Sequence, residues 1–143
     1  MTRHLSIFPL TIIPLLIYLI VSFSYGALAG HPNVWDEELV TFNLMSGGKF
    51  TILMEHFILI IGLVCLFFEI WKATRLTNQE AYEQVTSMIV FIVYLVLFIT
   101  VAKCSHAVFF LLMIISLIDV VAGFLVSLRA ARRSLAVDNE FNN

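Results

Sequence analysis

Apolar residues along this chain come in four long runs instead of the alternating faces of a soluble fold. The runs extend from about Ile7 to Leu28, Met54 to Thr74, Val85 to Ala102 and Ala107 to Leu128. Each holds 18 to 22 residues, and about 20 suffice to cross a hydrocarbon layer of about 30 Å. A helix satisfies its own backbone polar groups, which lipid cannot do. The pattern therefore predicts four transmembrane helices. Pro9 and Pro14 fall in the first two turns of the first run, and Pro14 is expected to kink it mildly by removing one intrahelical bond.

Between the first two runs the period changes. Val40, Phe42 and Leu44 alternate with Thr41 and Asn43, the chain breaks at Ser46-Gly47-Gly48, and Phe50, Ile52 and Met54 resume. Period-2 apolarity on either side of a Gly-Gly turn reads as a β-hairpin. The competing reading is an interfacial amphipathic helix starting at Trp35-Asp36-Glu37-Glu38. An isolated hairpin is marginal in water, so its apolar face is expected on the helix ends, the lipid interface or another protein. The expected fold is an all-α membrane protein, an antiparallel bundle of four transmembrane helices. A short outer β-hairpin or interfacial segment joins helices 1 and 2. The whole chain, 1–143, reads as a single integral membrane domain with an outer loop at 29–53 and a cytoplasmic tail at 129–143. The tail is expected to fray beyond Arg133. The turn at Lys103–His106 is so short that the third and fourth spans must be antiparallel neighbours.

Composition agrees with this pattern. Of the 143 residues, 61% are hydrophobic and 13% charged, against about 25% charged in an ordinary soluble domain. A mean hydropathy of +1.00 excludes a soluble single core, which could not bury so many apolar side chains. The net charge of −2 gives no sign of nucleic-acid binding, so the lipid bilayer is the partner that composition names. Cys65 lies about 16 Å of helical rise inside the second run, and Cys104 sits in the outer turn. A disulfide needs α-carbons within about 7 Å, so none is expected between them. Ala27-Leu28-Ala29 has the form of a signal-peptidase site, but the run from Ile7 to Phe23 exceeds the roughly 7–15 apolar residues of a secretory signal. It reads as a retained first span, with cleavage as the alternative.

Lys and Arg set the orientation. Arg3, Lys72, Arg75, Arg129, Arg132 and Arg133 fall on one side and Lys49 and Lys103 on the other. The positive-inside rule makes the first side cytoplasmic and places both termini there. Trp71 and Tyr82 then suit the inner interface, and Tyr25 and Trp35 the outer one.

Ionisable side chains inside a span are costly and mark function or assembly. Glu55, Gly62 and Glu69 recur every seven residues on one stripe of the second span. Glu55 suits the positive end of the helix dipole, and Glu69 can pair with Lys72 one turn on. Asp119 lies about 18 Å of rise into the fourth span. With Ser116, Gly123 and Ser127 it forms a small-polar stripe that lets another helix, from this chain or a partner subunit, approach closely. Its candidate companions are Glu69, Thr86 and Ser87. Adjacent Glu69 and Asp119 carboxylates would force one to hold a proton, which opens a reading as a proton or ion pathway. A site for a polar ligand head is the third reading.

His31, Glu55, His56, Cys104 and His106 gather on the outer side but lack the close spacing of a metal site. Two histidines on separate spans, His56 and His106, could hold haem between them, although both lie at helix ends. Hydrogen-bonding interfacial histidines are the alternative, and no cofactor is required. Motifs for phosphate binding or nucleophilic catalysis are absent.

The stretches Phe68-Glu69-Ile70-Trp71-Lys72-Ala73-Thr74-Arg75 and Ile118-Asp119-Val120-Val121-Ala122-Gly123-Phe124, with Arg129-Ala130-Ala131-Arg132-Arg133, resemble those of a small uncharacterised four-span proteobacterial inner-membrane family. The similarity extends over nearly the whole chain, including Ser46-Gly47-Gly48. It implies a bacterial inner membrane and this topology, and no activity. The leading expectation is a non-catalytic accessory or assembly subunit of a larger membrane complex, in contact with partner subunits or further copies of itself. The alternative is a redox or proton-handling membrane protein, using haem at His56 and His106 or a proton path through Glu69 and Asp119.

Overall fold

The computed structural model describes residues 9–28, 33–74 and 80–141. Its elements follow in the order α1 (Ile12–Leu28), β1 (Glu38–Asn43), β2 (Lys49–Leu53), α2 (Met54–Thr74), α3 (Glu80–Thr100) and α4 (Ala107–Phe141). Short 3-10 turns lie at Val34–Asp36 and Ala102–Cys104. The described residues are thus mostly helical, with four helices and one two-stranded antiparallel hairpin. Among the described residues two helical segments, α2 and Ala107–Arg129 of α4, are long and apolar enough to cross a membrane, while α1 and α3 carry shorter apolar stretches, Ile12–Tyr25 and Gln84–Thr100.

Three boundaries differ from the sequence expectation. α1 starts at Ile12, not near Ile7, and residues 1–8 lie outside the described part. Pro14 therefore falls in the first turn, where a helix has no intrahelical use for the N–H that proline lacks. There it removes no intrahelical bond and gives no cause for a kink. α3 starts earlier than expected, at Glu80. α4 continues as helix to Phe141, so the backbone of the tail does not fray at Arg133.

Contacts fix the relative directions of the helices. α1 opposes α4, since Thr11 meets Asp119, Tyr18 meets Phe109 and Ser22 meets Lys103. α3 opposes α4 as well, through Gln84 with Val120, Tyr94 with Phe109 and Phe98 with Phe110. α2 runs alongside α4 in the same direction. Gly62 lies against Leu112 and Ile115, and Glu69 shares a cleft with Asp119. A Cβ on Gly62 would sit 2.9 Å from Leu112 Cδ2, so the missing side chain is what lets α2 close on α4.

Tyr18, Tyr94, Phe109, Ile58 and Leu112 form the fully buried centre. Tyr18 OH donates to Lys103 O at 3.0 Å, and its ring stacks on Trp35 at 4.5 Å. Trp35 Nε1 donates to Ser22 Oγ at 3.2 Å. Trp35 and Cys104 are both buried. This corrects two expectations, because Trp35 pins the loop before β1 onto α1 instead of anchoring at an interface, and Cys104 is a core thiol and not part of an outer surface group. The helices' outward faces are apolar, while Thr11, Glu69, Ser87, Ser116 and Asp119 are buried. An apolar exterior around an apolar core that also buries these few polar groups departs from the soluble arrangement.

The hairpin reading holds over the interfacial helix. Val40 pairs with Ile52 and Phe42 with Phe50 on one face, while Thr41 pairs with Thr51 and Asn43 with Lys49 on the other. The two threonine hydroxyls are 3.1 Å apart. Gly47 N–H returns to Leu44 O at 3.0 Å, and Gly47 itself has φ +82°, a left-handed conformation that glycine adopts at little cost. β2 passes into α2 with no intervening residue. His56 Nδ1 accepts the Leu53 N–H at 3.1 Å, and Glu37 O accepts the Met54 N–H at 2.9 Å. These bonds occupy donors that a helix start leaves open.

Candidate functional site

The polar residues at depth converge on the first turn of α1. That turn is short of donors, because Pro9 and Pro14 carry no N–H. Ile12 and Ile13 donate back to Pro9 O and Leu10 O, at 3.2 and 3.0 Å. The Leu10 N–H donates across to Glu69 Oε2 of α2 at 3.0 Å. Thr11, at the N-cap position, donates its hydroxyl to Asp119 Oδ2 of α4 at 3.5 Å. Its carbonyl accepts Tyr94 OH of α3 at 3.1 Å. Three helices thus grip the start of the fourth.

Both carboxylates are nearly sealed, Glu69 at 6% and Asp119 at 4% exposure. A negative charge near a helix N-terminus is favoured by the helix dipole, and a buried charge needs partners. Glu69 has a further one in Lys72 Nζ at 3.6 Å, the expected i,i+3 pair. Ser87, also buried, presents its hydroxyl to Asp119. Thr86, the other companion expected from sequence, bonds its own helix at Tyr82 O instead.

Beside this point opens a cleft of about 390 Å³, its mouth included, lined by Glu69, Ala73, Gln84, Ser87, Asp119, Gly123, Val126 and Ser127. Gln84 Nε2 donates to Val120 O at 2.9 Å. The Gln84 side chain lies over Gly123, where an added Cβ would overlap its amide oxygen. Ser127 Oγ turns back to Gly123 O at 3.0 Å. The stripe of Ser116, Asp119, Gly123 and Ser127 therefore serves packing within the chain, receiving α1 at Asp119 and α3 at Gly123. Ser116 Oγ is buried without a hydrogen-bond partner among the described residues.

The two histidines considered for haem sit in different settings. His56 is exposed and uses Nδ1 at the β2–α2 junction. His106 is half-buried just before α4, and its Nδ1 has no hydrogen-bond partner among the described residues. No group of three or more His, Cys, Asp and Glu side chains converges as a metal site among the described residues. His31 lies outside the described residues. Cys65 and Cys104 are free and buried.

Sequence reasoning picked out Glu69, Lys72, Asp119, Gly123 and Ser127, and missed Leu10, Thr11, Gln84 and Tyr94. Thr11 between two prolines and the lone polar groups of an apolar α3 were the available signals. What they reach could not be read from spacing. No protein-family model, curated protein or solved structure matches the chain.

Proposed function

We propose that this chain is a four-span protein of a bacterial inner membrane with both termini in the cytoplasm, serving as a non-catalytic accessory or assembly subunit of a larger membrane complex. The observation that carries this reading is the division of labour between polar and apolar surface. Glu69 and Asp119 are engaged in holding α1, so the residues costliest in lipid have a structural use. The outward face of α3, which packs mainly on α4, presents Val85, Ile89, Ile92, Val96 and Ile99 at alternating spacings of four and three, all exposed. Stiff β-branched side chains at this spacing suit helix–helix packing. The alternating helix directions support four spans, and the basic bias supports the orientation.

Affinity purification in mild detergent tests the reading. A membrane protein recovered in fixed ratio, and lost when Ile92 and Val96 are both replaced by Phe, is the expected result. A chain that runs alone in every mild detergent overturns it. Tags at either terminus should be shielded from the periplasm and one at Gly47 exposed.

The cleft favours a second reading, proton handling. Two carboxylates from different helices line one opening together with Gln84, Ser87 and Ser127. Proton flux in proteoliposomes that is lost in a folded Asp119→Asn variant would establish it over the first.

A further inference from the structure

Among the described residues, no helix covers the hairpin's apolar face. Val40, Phe42 and Phe50 are 46%, 53% and 54% exposed, and the tip adds Leu44 at 52% and a fully exposed Met45. Ile52 is half-buried. We infer that this face lies flat on the outer surface of the bilayer, so that the hairpin is a lipid-binding element. This rests on the membrane reading above.

Position supplies the first argument. β2 ends at Leu53 and α2, apolar enough to span, begins at Met54. His56 and Glu37 bond this junction on both sides, so the hairpin is rooted where α2 leaves the hydrocarbon. Length supplies the second. Five residues of β2 span about 17 Å at about 3.4 Å each, whereas a headgroup layer is only about 5–7 Å thick. An upright hairpin would carry Phe42, Phe50, Leu44 and Met45 through the headgroups into water. A flat one places them at the acyl boundary and turns the Thr41–Thr51 face to water.

Charge supplies the third. Lys49 flanks the tip, paired with Asn43 on the polar face, and its long stem lets the ammonium reach lipid phosphates while the tip is buried. The acidic residues Asp36, Glu37 and Glu38 are at the opposite end, near the start of α2.

Spin labels test this in purified protein reconstituted into vesicles of phosphatidylethanolamine and phosphatidylglycerol, where no protein partner is present. Single labels go on Phe42→Cys, Thr41→Cys and Leu63→Cys, with Met45→Cys as a tip position that spares the strand pairing. Unmodified protein controls for the buried native thiols. Collisions with oxygen report lipid, and collisions with a nickel chelate report water. The expected oxygen-to-nickel ratio is several-fold higher at positions 42 and 45 than at 41, approaching that at 63. Water-like ratios at 42 and 45 with a lipid-like 63 would overturn the inference, leaving a protein as the occupant. A water-like ratio at 63 would overturn the membrane reading itself.

Discussion

The backbone N–H of Leu10 donates to the Glu69 carboxylate at 3.0 Å, across 59 residues of chain. Helix starts are ordinarily capped by a side chain a few residues away. Here a second helix supplies the acceptor, while the local capping residue, Thr11, sends its hydroxyl to Asp119 on a third. In lipid no water would satisfy these groups. Capping and helix packing have become one interaction, so a change at either carboxylate is felt at the start of α1.

Asp119→Asn should be nearly silent in stability, because an amide oxygen still accepts from Thr11. Asp119→Leu removes the acceptor and should destabilise the fold by about 1–2 kcal/mol, the scale of intramembrane hydrogen bonds. Unfolding in mixed micelles measures both. An Asn variant as unstable as Leu would show that the charge, not the bond, holds Thr11.

Glu69→Gln keeps an acceptor for the Leu10 N–H and loses the Lys72 pair, so a smaller cost than that of Glu69→Ala is expected. Glu69→Ala also opens the cap, adding about 1 kcal/mol. Hydrogen exchange at Leu10 separates the two, with protection kept in Gln and lost in Ala.

The two packed glycines should respond differently. Gly62→Val drives a branched side chain into Leu112 and Ile115 and should cost about 1–3 kcal/mol by overpacking. Gly123→Ala displaces only the flexible Gln84 side chain and breaks its bond to Val120 O. Its cost should be about 1 kcal/mol, and Gln84→Ala alone should cost as much. The double variant should then be no worse than either single one, and fully additive losses would contradict this account.

Cys104 should resist maleimide at neutral pH while the protein is folded. It is fully buried, and burial raises its thiol pKa above the ordinary value of 9.0. Since the raised value belongs to the folded state, the stabilisation is fully present below the unfolded pKa and is lost as pH rises through the folded one. Denaturation midpoints should therefore fall on the alkaline side. A Cys104→Ala variant should lose that part of the pH dependence, and an unchanged alkaline limb would refute it.

Much of the architecture was legible in the residues. Unbroken apolar runs locate helices because only regular hydrogen bonding suits such segments in an apolar setting. Alternation about Ser46-Gly47-Gly48 located the hairpin because a strand has a period of two. Heptad and i,i+3 spacings placed Glu69 beside Lys72, and depth alone marked Asp119 as facing inward. These are local properties, written in neighbours a few residues apart. The tertiary structure decided the rest. It set Glu69 and Asp119 on the first turn of α1, laid Gln84 over Gly123, and drew Trp35 and Cys104 into the core. It also put Pro14 in the first turn of α1, because the cross-helix contacts of Leu10 and Thr11 fix where that helix begins. No spacing within one helix encodes which residue of another helix it meets, since that depends on how whole helices pack.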